Sequence, residues 1–172
     1  MFDLNISYRF ISVFTTEESI GVQPAPDPVL DLVAPQPDDG FMIFTARQWG
    51  RVRIEDVQVR TSAPTDDVMS GWEEAVEIDF PAVESALRFA SFADGYVDGP
   101  WTLPGVPTSY RVLVLARGRT AVQPPIGWSP EEYETFEDER ERTLPERYAL
   151  HLWPAPATGP KVHRSIGFTY EG

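Results

Sequence analysis

Adjacent and near-adjacent carboxylates are the groups in this sequence best suited to chemistry. The pairs are Asp66-Asp67, Glu73-Glu74, and Glu77 with Asp79. Two carboxylates on one face could move protons or hold a hard cation. Glu77 and Asp79 stand two positions apart, which puts them on one face of a strand. Val76, Ile78 and Phe80 alternate with them, so the pattern reads as a half-buried strand whose carboxylates face water. The two histidines, His151 and His163, lie twelve positions apart and have no partner at ligand spacing. A zinc-type site needs three or four convergent groups, so both read as structural or solvent-facing and no metal is expected. With no cysteine, thiolate ligands, disulfides and cysteine nucleophiles are excluded. There is no G-x-S-x-G elbow, no G-x-x-x-x-G-K-[ST] loop and no G-x-G-x-x-G fingerprint. Gly95, Gly99 and Gly105 are spread as in loops and fit turns. No catalytic residue and no cofactor is therefore expected. Trp49, Trp72, Trp101, Trp128 and Trp153 could line a carbohydrate or peptide surface, although such rings more often close the ends of a core. Two of them on one exposed face would reverse that preference.

The elements that must position these groups are mostly strands. Leu4, Ile6, Tyr8 and Phe10 alternate with polar residues, and the phase then slips to Ile11 and Val13, which predicts one bulged strand. Phe41 to Thr45 is a short apolar run after the turn-like Asp38-Asp39-Gly40. Val52 and Ile54 share one phase and Val57 and Val59 the other, reconciled by a bulge near Glu55-Asp56 or by a tight turn. Strands are also expected over Ala75–Phe80, from Leu87 and Phe89 towards Phe92, through Tyr148, Leu150 and Leu152, and at Ile166 and Phe168. Tyr110, Val112 and Val114 face one way and Leu113 and Leu115 the other, the signature of a central strand buried on both sides. Seventeen prolines punctuate the chain. They mark Gln23 to Asp39, Trp101 to Pro107 and Gln123 to Pro125 as loops or turns.

One helix stands out. Ser129-Pro130-Glu131-Glu132 has a capping serine, a proline at the first helical position and a glutamate at the third. The helix should run to about Thr143, ahead of Leu144-Pro145, with little apolar content beyond Tyr133 and Phe136. About eight short strands with proline- and glycine-rich connections predict an all-β fold, a mostly antiparallel β-sandwich. Residues 1–172 are read as one domain, with 129–143 a short, exposed helical insertion.

Charge bounds the partners. The net charge is −13, which opposes nucleic acid and anionic membrane as direct ligands. The excess is local: residues 63–100 carry nine acids against Arg88, and 131–142 carry seven acids against Arg140 and Arg142. The first thirteen residues, MFDLNISYRFISV, form neither a secretory signal nor a membrane span, so cytoplasmic residence is the expectation.

Three segments carry a resemblance. They are Trp72-Glu73-Glu74-Ala75-Val76-Glu77; Ser109-Tyr110-Arg111-Val112-Leu113-Val114 followed by Gly118; and Glu146 to Pro156, which reads ERYALHLWPAP. Together they resemble a group of small actinobacterial proteins with a W-x-x-x-V-E, a Y-R-V strand and a closing W-P-A-P. More distantly, the order of elements is similar to the competence protein J family, inhibitors of a DNA-entry nuclease. That resemblance implies a small β-sandwich that binds and blocks a nuclease. The shared residues keep shape, so it carries over no binding position.

The expected function is therefore a non-catalytic protein-binding module, immunity-like or inhibitor-like, with an acidic surface for a basic protein partner. The candidate contacts are Asp66, Asp67, Glu73, Glu74, Glu131, Glu132 and Glu134. The alternative is a small-molecule or carbohydrate module using tryptophans and paired carboxylates. A homodimer through a strand edge is a third, structural, possibility.

Overall fold

The computed structural model describes residues 1–16, 29, 31–36, 39–47, 49–91, 93–106, 108–122 and 129–167. Within them the chain forms β1 (Phe2–Ser7), β2 (Phe10–Phe14), β3 (Val33–Pro35), β4 (Phe41–Phe44) and β5 (Trp49–Val59). A 3-10 turn (Asp66–Met69) precedes β6 (Glu74–Ala82), β7 (Ala86–Ser91), β8 (Gly95–Thr102) and β9 (Thr108–Arg117). A second 3-10 turn (Thr120–Val122), α1 (Pro130–Thr143), β10 (Arg147–Pro154) and β11 (Lys161–Arg164) complete the order. The expectations for Phe92, Trp128, Phe168, Gln123–Pro125 and most of the proline-rich Gln23–Asp39 stretch fall outside the described residues.

The strands build two sheets, one of six strands in the order β1-β5-β10-β9-β6-β11 and one of five in the order β3-β4-β2-β7-β8. Pairing is antiparallel throughout except for β5 with β10, which run parallel. The all-β fold with one helical insertion is thus what the sequence predicts, with more strands than the pattern alone resolves. β3 has only three residues. β8 reads GYVDGPWT, whose glycines and proline hide its strand character, so Gly95 and Gly99 sit in a strand and not in a loop. Gly99 is needed there because the Trp101 ring occupies the space a Cβ would take.

The residues two apart along each strand meet between the sheets. Leu4, Ile6, Val52, Ile54, Val76, Ile78, Phe80, Tyr110, Val112, Val114, Tyr148, Leu150 and Leu152 come from the larger sheet. Ile11, Val13, Val33, Phe41, Ile43, Leu87 and Phe89 come from the smaller. Phe41, Phe80 and Tyr110 stack in sequence at centroid separations of 5.2 and 5.9 Å. The Tyr110 hydroxyl donates to the Pro104 carbonyl at 2.6 Å, so the ring is buried without an orphaned polar group. β9 is central, flanked by β10 and β6. Its second face, Leu113 and Leu115, is covered by Met69, Val68 and Trp72 from the segment carrying the first 3-10 turn.

Two local expectations change, and between them a choice of bulge or turn is decided for the bulge. Leu4 to Val13 is not one bulged strand. Tyr8 and Arg9, at φ 61 and 69, turn the chain between β1 and β2, which belong to different sheets. Val52 to Val59 is one strand, and its phase slip is a bulge at Glu55: Tyr148 pairs with Ile54 and Ala149 with Asp56. Among the described residues the last strand is Lys161–Arg164, and Ile166 lies beyond it, exposed.

α1 forms where its start signal places it. Ser129 Oγ accepts from the Glu132 N–H at 3.3 Å, and the Glu132 carboxylate accepts from the Ser129 N–H at 2.8 Å, a complete capping box. Those bonds from Ser129 hold the Glu132 carboxyl below its ordinary value. Leu144 ends the helix in the left-handed conformation with its side chain buried. Ser129→Ala is expected to weaken the first turn by about 1 kcal/mol, read as faster amide hydrogen exchange at Glu131 to Tyr133 with global stability unchanged. Unchanged exchange there would mean the cap contributes nothing.

Candidate protein-binding surface

The carboxylates nominated from the sequence do not share one fate. Asp66 and Asp67 sit exposed on the first 3-10 turn. The Thr65 hydroxyl donates to Asp67 and holds its carboxyl below the ordinary value. Glu73 is exposed beside the start of β6, where its carboxylate accepts from the Gly118 N–H at 2.8 Å. Glu131, Glu132 and Glu134 are exposed on α1, with Glu132 committed to the cap.

Glu74 is a correction. It is fully buried and forms an ion pair with the equally buried Arg119, Nη1 to Oε2 at 2.9 Å. Arg119 Nη2 also donates to the Asp31 carbonyl at 2.6 Å. Glu74 begins β6 at the position where strand alternation turns inward, so it holds the interior together and cannot meet a partner.

A second buried acid lies nearby in the chain's packing. The Glu146 carboxylate accepts from the N–H groups of Ala46 at 2.6 Å and Arg47 at 3.3 Å, and from the Tyr148 hydroxyl. Burial raises the Glu146 carboxyl above its ordinary value against the opposing pull of these donors and of Arg119. Burial and the adjacent Glu146 push the Tyr148 phenol well above its own. No sequence motif marks this cluster; its members lie in separate segments and only the packed sheets bring them together.

The Glu77–Asp79 pair is on the face opposite Val76, Ile78 and Phe80, as expected, but that face is not open water. Both carboxylates bind the buried Arg111 guanidinium. Asp79 also accepts from the N–H groups of Thr158 at 2.9 Å and Gly159 at 2.5 Å, and Glu77 lies 2.9 Å from His163 Nε2. These bonds clamp the 158–163 segment against β6 and β9, and they occupy the oxygens that acid–base chemistry would need. His151 Nδ1 accepts from Arg60 Nε at 3.0 Å, and burial followed by the Arg60 charge lowers its pKa. That makes His151 a neutral, structural histidine. Among the described residues no group of three or more His, Asp or Glu converges in a way that could hold a metal. Among them, too, no helix is long and apolar enough to cross a membrane.

Ion pairs tie α1 to the body. Glu141 binds Arg47 and Arg51, and Arg140 Nη1 donates to the Val122 carbonyl at 2.7 Å. Beside the helix C-terminus, Arg147 and Arg117 both bind Glu55, at 2.8 and 2.7 Å, and Arg117 lies 4.9 Å from the Trp72 ring centre. A continuous chain of contacts thus runs from the Asp66–Glu73 region to α1. The tryptophans divide. Trp153 is buried, Trp101 packs on Phe2 and Phe89, and Trp72 is half-buried under Arg117. Trp49 alone of these four is exposed, in contact with the exposed ring of Tyr8.

No family model and no curated protein matches the chain. Two solved structures are similar to it. One, with a TM-score of 0.52 and 14% identity over 90% of this chain and 94% of that one, is ComJ, inhibitor of the DNA degrading activity of NucA, from Bacillus subtilis. The other, Crocagin biosynthetic gene J, has a TM-score of 0.41 and 16% identity over 90% of this chain and 96% of that one. At such identity, what the chain has in common with ComJ is its fold, along nearly the whole length of both.

Proposed function

We propose that this chain is a non-catalytic, inhibitor-type protein-binding module whose acidic surface covers a basic partner of the nuclease class. The observation that carries the reading is the fold shared with ComJ, described as an inhibitor of a DNA-degrading activity. Charge supports it. A nuclease that grips DNA presents cationic groups to phosphates, and a surface bearing the carboxylates of α1 together with Asp66, Asp67 and Glu73 can satisfy the same groups. A net charge of −13 also steers encounter with a cationic partner at long range. The occupied state of Glu77 and Asp79 favours binding over catalysis, because neither is left to act on a substrate.

The test is capture on the immobilised chain from lysate and culture medium of the source organism, at low and high salt. The retained fraction is assayed for plasmid degradation. The expected result is a DNA-degrading activity retained at low salt, released at high salt and suppressed when free chain is added back. The triple variant Glu131→Gln/Glu134→Gln/Asp138→Asn should associate roughly tenfold more slowly at low salt, with little change at high salt. A retained fraction without nuclease activity at either salt removes the reading.

A further inference from the structure

Apart from Met1, Tyr8 and Trp49 are the most exposed large hydrophobic residues described, at 56% and 52%. They form one patch, with ring centroids 5.2 Å apart and planes tilted by 55°. We propose that this pair is the aromatic anchor of the binding surface, and that its occupant is an arginine-rich face of a protein partner; the proposal rests on the protein-binding reading above.

Several observations converge on this patch. Tyr8 and Arg9 are consecutive non-glycine residues in the left-handed region, at φ 61 and 69. That backbone is unfavourable for side chains of this size, and such strain concentrates where function holds it. It is what turns the Tyr8 ring outward onto Trp49, whose neighbour in the sheet is Ser7.

The base of the patch is rigid. The buried Arg47 donates from Nε to the Trp49 carbonyl at 3.1 Å and from Nη1 to the Arg51 carbonyl at 2.5 Å. Its remaining arm binds Glu141 of α1. Gly50, at φ 104, is required because a Cβ there would collide with the Arg47 guanidinium and the Glu141 carboxylate. Arg47 therefore fixes the anchor and the acidic helix to each other. A preorganised aromatic pair loses little freedom on binding, which is what distinguishes an affinity-determining contact from an incidental one.

Charge identifies the occupant. Asp138 and Glu134 lie three and seven positions before Glu141, on the same helix face, and both are exposed. The adjacent Arg51 is engaged by Glu141. An aromatic pair joined through Arg47 to a helix that carries exposed carboxylates suits a face of guanidinium groups, some stacking on the rings while others donate to the helix oxygens.

The test uses a fluorescein-labelled octa-arginine peptide and fluorescence anisotropy. Tyr8→Asn/Trp49→Thr removes both rings with residues that suit a left-handed turn and a strand. Val83→Thr, at an exposed apolar site elsewhere, is the control. Wild type should bind in a salt-sensitive way, the aromatic variant about tenfold more weakly with the same salt dependence, and the control unchanged. Equal affinity of the aromatic variant and wild type overturns the anchor. If Glu134→Gln/Asp138→Asn weakens binding in that case, the protein-binding reading stands without it. Absence of wild-type binding overturns the arginine-rich occupant, while the nuclease assay still decides the wider reading. Retention on a polysaccharide gel that the aromatic variant loses, with octa-arginine binding unaffected, replaces the occupant by a sugar and also overturns the proposal.

Discussion

Arg119→Met is expected to lower the unfolding free energy by about 3–5 kcal/mol, enough to leave a protein of ordinary stability partly unfolded at 25 °C. The pair it breaks has both side chains at 0% exposure, Arg119 Nη1 against Glu74 Oε2. Methionine fills much of the space but leaves the Glu74 carboxylate buried without its cation, and the Asp31 carbonyl without its donor. The Glu74 carboxylate, at 0% exposure, cannot reach water without opening the start of β6. Urea denaturation should show a lower midpoint at unchanged slope. The double variant Arg119→Met/Glu74→Met should recover more than half of the loss, because what destabilises is the stranded charge and not the missing bond. A single variant within about 1 kcal/mol of wild type would show that the interior tolerates a lone Glu74, contrary to its burial.

Glu146→Ala is the second large effect, with an expected loss of about 3–5 kcal/mol. The carboxylate is shared by the N–H groups of Ala46 and Arg47 and the Tyr148 hydroxyl, all inside the protein. Alanine strands the two N–H groups, leaves the Tyr148 hydroxyl only its 3.3 Å bond to the Phe44 carbonyl, and opens a cavity at the start of β10. Glu146→Gln keeps the shape and loses less, and it isolates the pH dependence. Because burial raises the folded value above the ordinary 4.5, the folded state keeps the Glu146 proton over a range where the unfolded chain has released it. Stability from this group is therefore full below about 4.5 and declines as pH rises through the folded value. Glutamine has no such decline. The deficit of Glu146→Gln relative to wild type should narrow as pH rises from 4.5, measured by denaturation at a series of pH values. A deficit that widens instead would mean the folded protein prefers the ionised carboxylate.

Both effects belong to residues that sequence reasoning either misassigned or passed over. Glu73-Glu74 reads as one acidic pair, yet one member faces water and the other pairs with Arg119. The one usable signal was alternation: Glu74, Val76, Ile78 and Phe80 share a phase, so Glu74 belongs with the buried set. Its charge outweighed that signal because a lone buried carboxylate is rare, and the compensating Arg119 lies far along the chain. Tyr8 reads as the third residue of an alternating strand, and only the turn at Tyr8-Arg9 moves it from the core to the surface. Trp49 follows the general rule for tryptophan in the sequence and breaks it in the fold.

What the sequence alone determined is the part governed by local periodicity. Apolar residues two apart set which strand faces go inward, the double phase of Tyr110 to Leu115 made β9 central, and Ser129-Pro130 with Glu132 started α1. These signals act over a few residues and survive any arrangement of the sheets. The tertiary structure alone decided which charges have partners: Arg111 with Glu77 and Asp79, Arg119 with Glu74, and Arg47 with Glu141 under Trp49. Each is a contact between segments far apart in the chain. Whether a carboxylate is a buried strut or an open docking group depends on distance and burial, and neither is written in the order of residues.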